Sequence, residues 1–133
     1  MILQIDTQSH DAIYEQLRSQ IILGIASGQL QPGEHMPSVR RLAADLGINL
    51  HTVNKVYTML CDEHYLVMDR RKGAVVSHKQ NSDGDFERKL KRTLTFAAAE
   101  AHCRNIDEKA FLQFCEECFG NAGNSKSNKG DNT

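Results

Sequence analysis

A chain of 133 residues has room for one ordinary domain and a short appendage, which excludes a large second domain. No stretch reaches membrane-spanning length, and the opening segment Met1 to Leu17 carries acids and no long apolar run, so neither an export signal nor a membrane anchor is expected. The four cysteines are then read as reduced thiols of a cytoplasmic protein, and the formal net charge of -1 argues weakly against nucleic acid unless it is unevenly spread.

It is unevenly spread. Met1 to Pro37 sums to -3, Ser38 to Lys79 to +3, and Gln80 to Thr133 to -1. Phosphate binding follows local potential, so the middle segment is where a DNA footprint is sought.

Ile2 to Ile5 is a short β-prone run. From about His10, apolar residues at Ile13, Leu17, Ile21 and Ile25 repeat every fourth position, the stripe of an amphipathic helix that should stop near Ser27-Gly28. A turn at Gln31-Pro32-Gly33-Glu34 leads to Pro37-Ser38, where Ser38 can cap a second helix with Val39, Leu42, Ala43 and Leu46 inward. That helix halts at Gly47. Asn49 can cap a third helix, with Val53, Val56, Tyr57 and Leu60 on its apolar face and His51, Thr52, Asn54, Lys55 and Thr58 on the other. Two short helices about a Gly-bearing turn form a helix-turn-helix candidate.

The period then changes. Tyr65 to Met68 and Ala74 to Val76 read as two strands around the basic tip Asp69-Arg70-Arg71-Lys72-Gly73, a hairpin of the kind that forms a wing. Asn81 to Asp85 is a polar hinge. Beyond it, Phe86, Leu90, Leu94, Ala97, Ala98 and Ala101 mark one helix, and Phe111, Leu112, Cys115 and Phe119 mark another, opened by Asp107. From Gly120 no large apolar residue occurs, so a disordered tail is expected. The fold class is therefore mainly α, with a winged helix-turn-helix over residues 1–79, a two-helix dimerisation segment over 80–119 and a tail over 120–133.

Side chains on the exposed N-terminal part of a helix in the major groove read base edges. His51, Thr52, Asn54 and Lys55 stand at that end of the third helix. Asn can bond an adenine edge, Lys a guanine acceptor or a phosphate, and Thr52 a phosphate oxygen. Against this stands the plain reading of a solvated polar face. Arg70, Arg71 and Lys72 beside Gly73 put cations on a narrow turn suited to phosphates or a minor groove, and Ser38, Arg40 and Arg41 open the second helix. Phe86, Leu90, Leu94, Phe111, Leu112, Phe114 and Phe119 are more apolar surface than a lone helical hairpin can bury, so a homodimer is expected through them, and with it an inverted-repeat operator in double-stranded DNA.

Cys115-Glu116-Glu117-Cys118, with His102-Cys103, is the one metal-like pattern, but Cys115 falls on the apolar stripe of its helix. Packing thiols are expected, with no metal and no cofactor; a metal- or thiol-responsive sensor is the alternative, and an adaptor using its helices for protein contacts alone is another. No Ser-His-Asp set, paired acids or glycine-rich phosphate loop occurs, and the six histidines are scattered over expected caps and turns, so no enzyme is expected.

The order of motifs Gly28-Gln29-Leu30-Gln31-Pro32-Gly33, Met36 to Ala43, Leu46-Gly47-Ile48-Asn49 and Thr52-Val53 resembles the GntR family of transcription regulators, from about Ile5 through Val76. The short remainder is similar to the YtrA subfamily. The resemblance implies that Arg40, Thr52 and Gly73 approach DNA, and that the regulator is a repressor of a transporter-type operon and of its own gene. The commoner family pattern has Arg where this chain has Leu50, so that position has no donor for a guanine. No effector is legible.

Overall fold

The computed structural model describes residues 3–6 and 12–123, and the chain divides after Lys79 into two compact units, the second being Gln80–Ala122. The element order is α1 (Ile13–Ala26), α2 (Val39–Leu46), α3 (Leu50–Asp62), β1 (Leu66–Asp69), β2 (Gly73–Val76), α4 (Gly84–Cys103) and α5 (Glu108–Ala122), a mainly helical winged fold as the spacing predicts. Ile2, the His10 start expected for the first helix, and residues 124–133 of the expected tail lie outside the described residues.

In the first unit the four-residue stripe of α1 buries Leu17 and Ile21 against Leu42 and Ala43 of α2, Val53, Val56, Tyr57 and Leu60 of α3, and Leu66 and Val76 of the wing. Each fully buried aliphatic side chain contributes on the order of 1.5–3 kcal/mol relative to exposure, so this cluster holds the three helices and hairpin as one body. The caps agree with the sequence. Ser38 Oγ accepts the Arg41 N–H at 3.1 Å, and Asn49 Oδ1 accepts the His51 N–H at 2.8 Å. α2 closes with Gly47 at φ 68° and the Ile48 N–H on the Ala43 carbonyl at 3.1 Å, a turn that favours Gly because its backbone is left-handed. α3 closes the same way through the Tyr65 N–H on the Leu60 carbonyl at 2.8 Å, yet its left-handed position holds His64.

Two local expectations are corrected. Leu3–Asp6 is not a strand. It lies along α1, where the Gln20 amide pairs with both the N–H and carbonyl of Gln4 and Gln16 does the same for Asp6, so glutamine side chains take the place of a partner strand. The wing is also more than a hairpin. β1 and β2 pair antiparallel from Leu66 opposite Val76 to Asp69 opposite Gly73, and the segment after the Pro32-Gly33 turn runs along the other edge of β2 through a His35–Val75 bridge. The Gly33 N–H on Val76 (2.8 Å), the Val76 N–H on Glu34 (2.9 Å) and the Met36 N–H on Ala74 (2.8 Å) make that edge.

In the second unit Asp83 caps α4 through the Phe86 N–H at 2.8 Å, and Asp107 caps α5 through the Ala110 N–H at 2.8 Å. Asn105, left-handed at φ 60°, ends the turn between them with the Ile106 N–H on the Ala101 carbonyl at 3.0 Å. α5 continues through Gly120 and Asn121 to Ala122, past the expected boundary at 119. Among the described residues of this unit Ala101 alone is a buried hydrophobic, while Phe86, Leu90 and Leu94 are each 46% exposed and Phe119 is 86% exposed.

Candidate nucleic-acid interface

α3 presents two opposed faces. Val53, Val56, Tyr57 and Leu60 are buried in the core, so the helical period turns His51, Lys55 and Thr58 outward with Asn54 on their flank, and all four are exposed. Thr52 sits at the margin, half-buried, on the first turn where the backbone N–H groups emerge. Leu50, at the position where the commoner pattern has Arg, is 38% exposed and offers no donor.

The register of this helix is held from inside. The Tyr57 hydroxyl donates to the Pro37 carbonyl at 2.8 Å, tying α3 to the residue that precedes the Ser38 cap of α2. Burial pushes the Tyr57 phenol above its ordinary range, so it stays protonated and able to donate. A second tie joins α3 to α1, where the Arg18 guanidinium meets the Glu63 carboxylate at 2.5 and 2.9 Å; that hydrogen bond raises the already high pKa of Arg18.

On α2, Ser38 is spent on its cap, Arg40 is exposed, and Arg41 is exposed with its guanidinium 3.8 Å from Asp45 one turn on. At the wing, Arg70, Arg71 and Lys72 form an exposed tip between paired Asp69 and Gly73. Gly73 takes φ 74° there, a backbone that any side chain would strain. Thus Ser38, Arg40, Arg41, His51, Thr52, Asn54, Lys55, Arg70, Arg71, Lys72 and Gly73 all belong to one unit, on elements packed through one core.

Two residues of this surface are not among the site residues expected from the sequence. Tyr14 of α1 lies under the Lys55 ammonium, 4.2 Å from nitrogen to ring centroid. Nothing in the order of residues signals that pairing, because it depends on how α1 crosses α3. Asp69 is the other: its Oδ1 accepts the N–H groups of Arg71 (2.8 Å) and Lys72 (3.1 Å), and these two bonds hold its carboxylate below the usual range. An Asp opening a tight turn is a legible signal for that role.

Among the described residues no three His, Cys, Asp or Glu side chains are grouped to hold a metal, and no helix is long and apolar enough to cross a membrane. Cys61 and Cys115 are half-buried and Cys103 and Cys118 exposed, all as free thiols; burial raises the pKa of Cys61.

Residues 10–76 match the family described as bacterial regulatory proteins, gntR family. The chain is 31% identical over 97 residues to the HTH-type transcriptional regulator Rv1152 of Mycobacterium tuberculosis, covering 73% of this chain and 80% of that one. Over 130 residues it is 28% identical to the HTH-type transcriptional repressor YtrA of Bacillus subtilis, covering 96% of this chain and 99% of the relative. Among solved structures, YtrA of Sulfolobus acidocaldarius, a GntR-family transcription factor, is similar at 38% identity with a TM-score of 0.63, over 75% of this chain and 99% of that one. These relatives are transcription regulators and not enzymes. With a winged helix-turn-helix, an exposed polar face on its third helix and a family match through the end of its wing, the chain belongs to the gntR family of bacterial regulatory proteins, as a YtrA-like DNA-binding transcription regulator.

Proposed function

We propose that the protein is a cytoplasmic homodimeric repressor that binds an inverted-repeat operator, and that it represses a transporter-type operon together with its own gene. The observation that carries the DNA-reading part is the exposed array His51, Asn54 and Lys55 on a helix whose opposite face is wholly buried. A helix fixed in this way can enter a major groove without rearranging, and its N-terminal side chains then lie nearest the base edges. Asn54 reads an adenine edge, Lys55 and Thr52 meet acceptors on bases or phosphates, and Leu50 offers apolar contact only. Arg40 and Arg41 lie along the backbone, and the wing tip Arg70-Arg71-Lys72 contacts flanking phosphates or the minor groove, which Gly73 lets the chain approach.

Dimerisation rests on the second unit. A pair of capped helices with one buried apolar side chain, and with Phe86, Leu90, Leu94, Leu112, Phe114 and Phe119 exposed, leaves more apolar surface in water than a stable monomer keeps. Phe111 is half-buried and belongs to the same set, and Phe96, which periodicity alone does not select, is 67% exposed and joins it. An isologous contact between two copies covers these side chains and relates the two recognition helices by a two-fold axis. Repression is supported by the name of the Bacillus subtilis relative. The transporter target follows from resemblance to the subfamily.

The test is selection of duplexes from a random library by the wild-type chain and by Asn54→Ala. The wild type is expected to enrich two inverted half-sites, and the variant to lose preference at one base pair in each, a discrimination of about 1–3 kcal/mol for a bidentate contact. The same consensus from both proteins removes Asn54 as a reader, and no enrichment by the wild type removes the function.

A further inference from the structure

We propose that Tyr14 is a positioning residue for DNA binding: its ring holds the Lys55 ammonium on the outer edge of the recognition helix, ready to meet an acceptor on the duplex. The inference rests on the reading of α3 as the DNA-entering helix and adds to it a residue from a different element.

Lys55 lies on the exposed face of α3, one turn beyond His51. Among the described residues it makes no ion pair, and the Tyr14 ring lies against it at 4.2 Å from the ammonium to the centroid. That distance is well inside the range over which a cation is attracted to the negative face of an aromatic ring. The ring itself is fixed. Tyr14 is half-buried and packs against the core, while its hydroxyl donates to Glu15 Oε1 at 3.2 Å. A lysine free in solvent has many rotamers, and a DNA contact must order them all. A ring that engages one side of the ammonium narrows this ensemble before DNA arrives. It also takes none of the three N–H donors by hydrogen bonding, so they remain for a phosphate or guanine oxygen. A close ion pair would hold the chain as well but would offset the charge that DNA has to feel. An aromatic ring orients the cation and leaves its charge intact.

The test uses the full chain and the duplex that the wild type enriches from a random library, titrated at fixed salt. Tyr14→Phe keeps the ring and is expected to bind like wild type. Tyr14→Leu keeps apolar volume without the ring and is expected to bind about 2- to 5-fold more weakly per recognition helix. In a Lys55→Met background the Tyr14→Leu change should have no further effect, because the ring acts through the ammonium alone. Where Tyr14→Leu melts before it can be titrated, phenylalanine carrying one, two and three ring fluorines at position 14 replaces it, since fluorination drains the ring face while nearly keeping its shape; affinity should fall stepwise along that series. Tyr14→Leu binding as tightly as wild type or tighter, a full loss persisting in the Lys55→Met background, Tyr14→Phe as weak as Tyr14→Leu, or a flat fluorine series each overturns the role of Tyr14 while wild-type binding preserves the reading of α3. A wild-type chain that binds no duplex overturns both.

Discussion

Tyr57 joins core to reading surface with one atom. Its ring is buried among Val53, Val56 and Leu60 while its hydroxyl reaches the Pro37 carbonyl at 2.8 Å, so α2 and α3 keep one relative register. Tyr57→Phe removes that hydrogen bond alone and should lower stability by about 0.5–1.5 kcal/mol, read from denaturant unfolding with an unchanged m-value. At the wing, Asp69 organises the cationic tip by accepting two backbone N–H groups. Its folded-state pKa is depressed, so its contribution is fully present above the ordinary carboxylate value of about 3.9 and is lost as pH falls through the lower folded value. A carboxyl titration by NMR should therefore show a midpoint under about 3.9, and Asp69→Asn should keep more of the DNA affinity than Asp69→Ala because an amide oxygen can still accept. His64 occupies the left-handed turn after α3 at φ 69°, where a Cβ is strained. His64→Gly should raise the melting temperature, by up to about 1 kcal/mol in stability; a lower melting temperature means that the imidazole has a role that backbone strain conceals. Of these three residues only Asp69 announces itself in the sequence, by opening a turn. The Tyr57 bond and the His64 conformation depend on how α3 ends and packs.

The helices and hairpin of the first unit are legible because each carries its own punctuation. Ser38 and Asn49 cap where the sequence says they should, Asp107 opens α5 likewise, and Gly47 stops α2 by taking the left-handed conformation, whereas Asp83, read as part of a polar hinge, caps α4. What the sequence conceals is pairing between elements: the Gly33–Met36 edge on β2, the Gln4 and Asp6 backbone held by α1 glutamines, and Tyr14 under Lys55. The end of α5 is hidden for another reason. Gly inside a helix costs about 1 kcal/mol relative to Ala, so Gly120 reads as a stop although the helix runs through it. The wing tip carries its own prediction. Replacing Arg70, Arg71 and Lys72 together by Ala should weaken binding to all duplexes, and the slope of log affinity against log salt should fall in magnitude by roughly 0.9 for each phosphate that the variant no longer neutralises. An unchanged slope and affinity would take the wing out of the interface. Arg18 and Glu63, which tie α1 to the end of α3 with side chains about a third exposed, should show coupling of about 0.2–1 kcal/mol that shrinks with added salt.

The molecule combines a unit with a full core and a unit without one. Among the described residues the first buries thirteen hydrophobic side chains in a single cluster, whereas the second buries Ala101 and leaves most of its large side chains in water. This asymmetry is readable in outline from the sequence, since Phe86, Leu90, Leu94, Phe111, Leu112, Phe114 and Phe119 outnumber what one hairpin can cover; Phe96 is not, because it falls off their helical stripe. A chain ending at Gln80 should keep the cooperative melting of the first unit, sediment as a monomer and bind a two-half-site duplex far more weakly, because two tethered half-sites become two separate ones. Dimerisation and DNA reading meet in one quantity, the mass of the complex that the full chain forms with the duplex it enriches, measured by native mass spectrometry at increasing protein concentration. Two chains should add to each duplex together, with the complex holding a single chain scarcely populated. A complex that saturates at one chain per duplex, or none at all, contradicts a dimer that reads two half-sites.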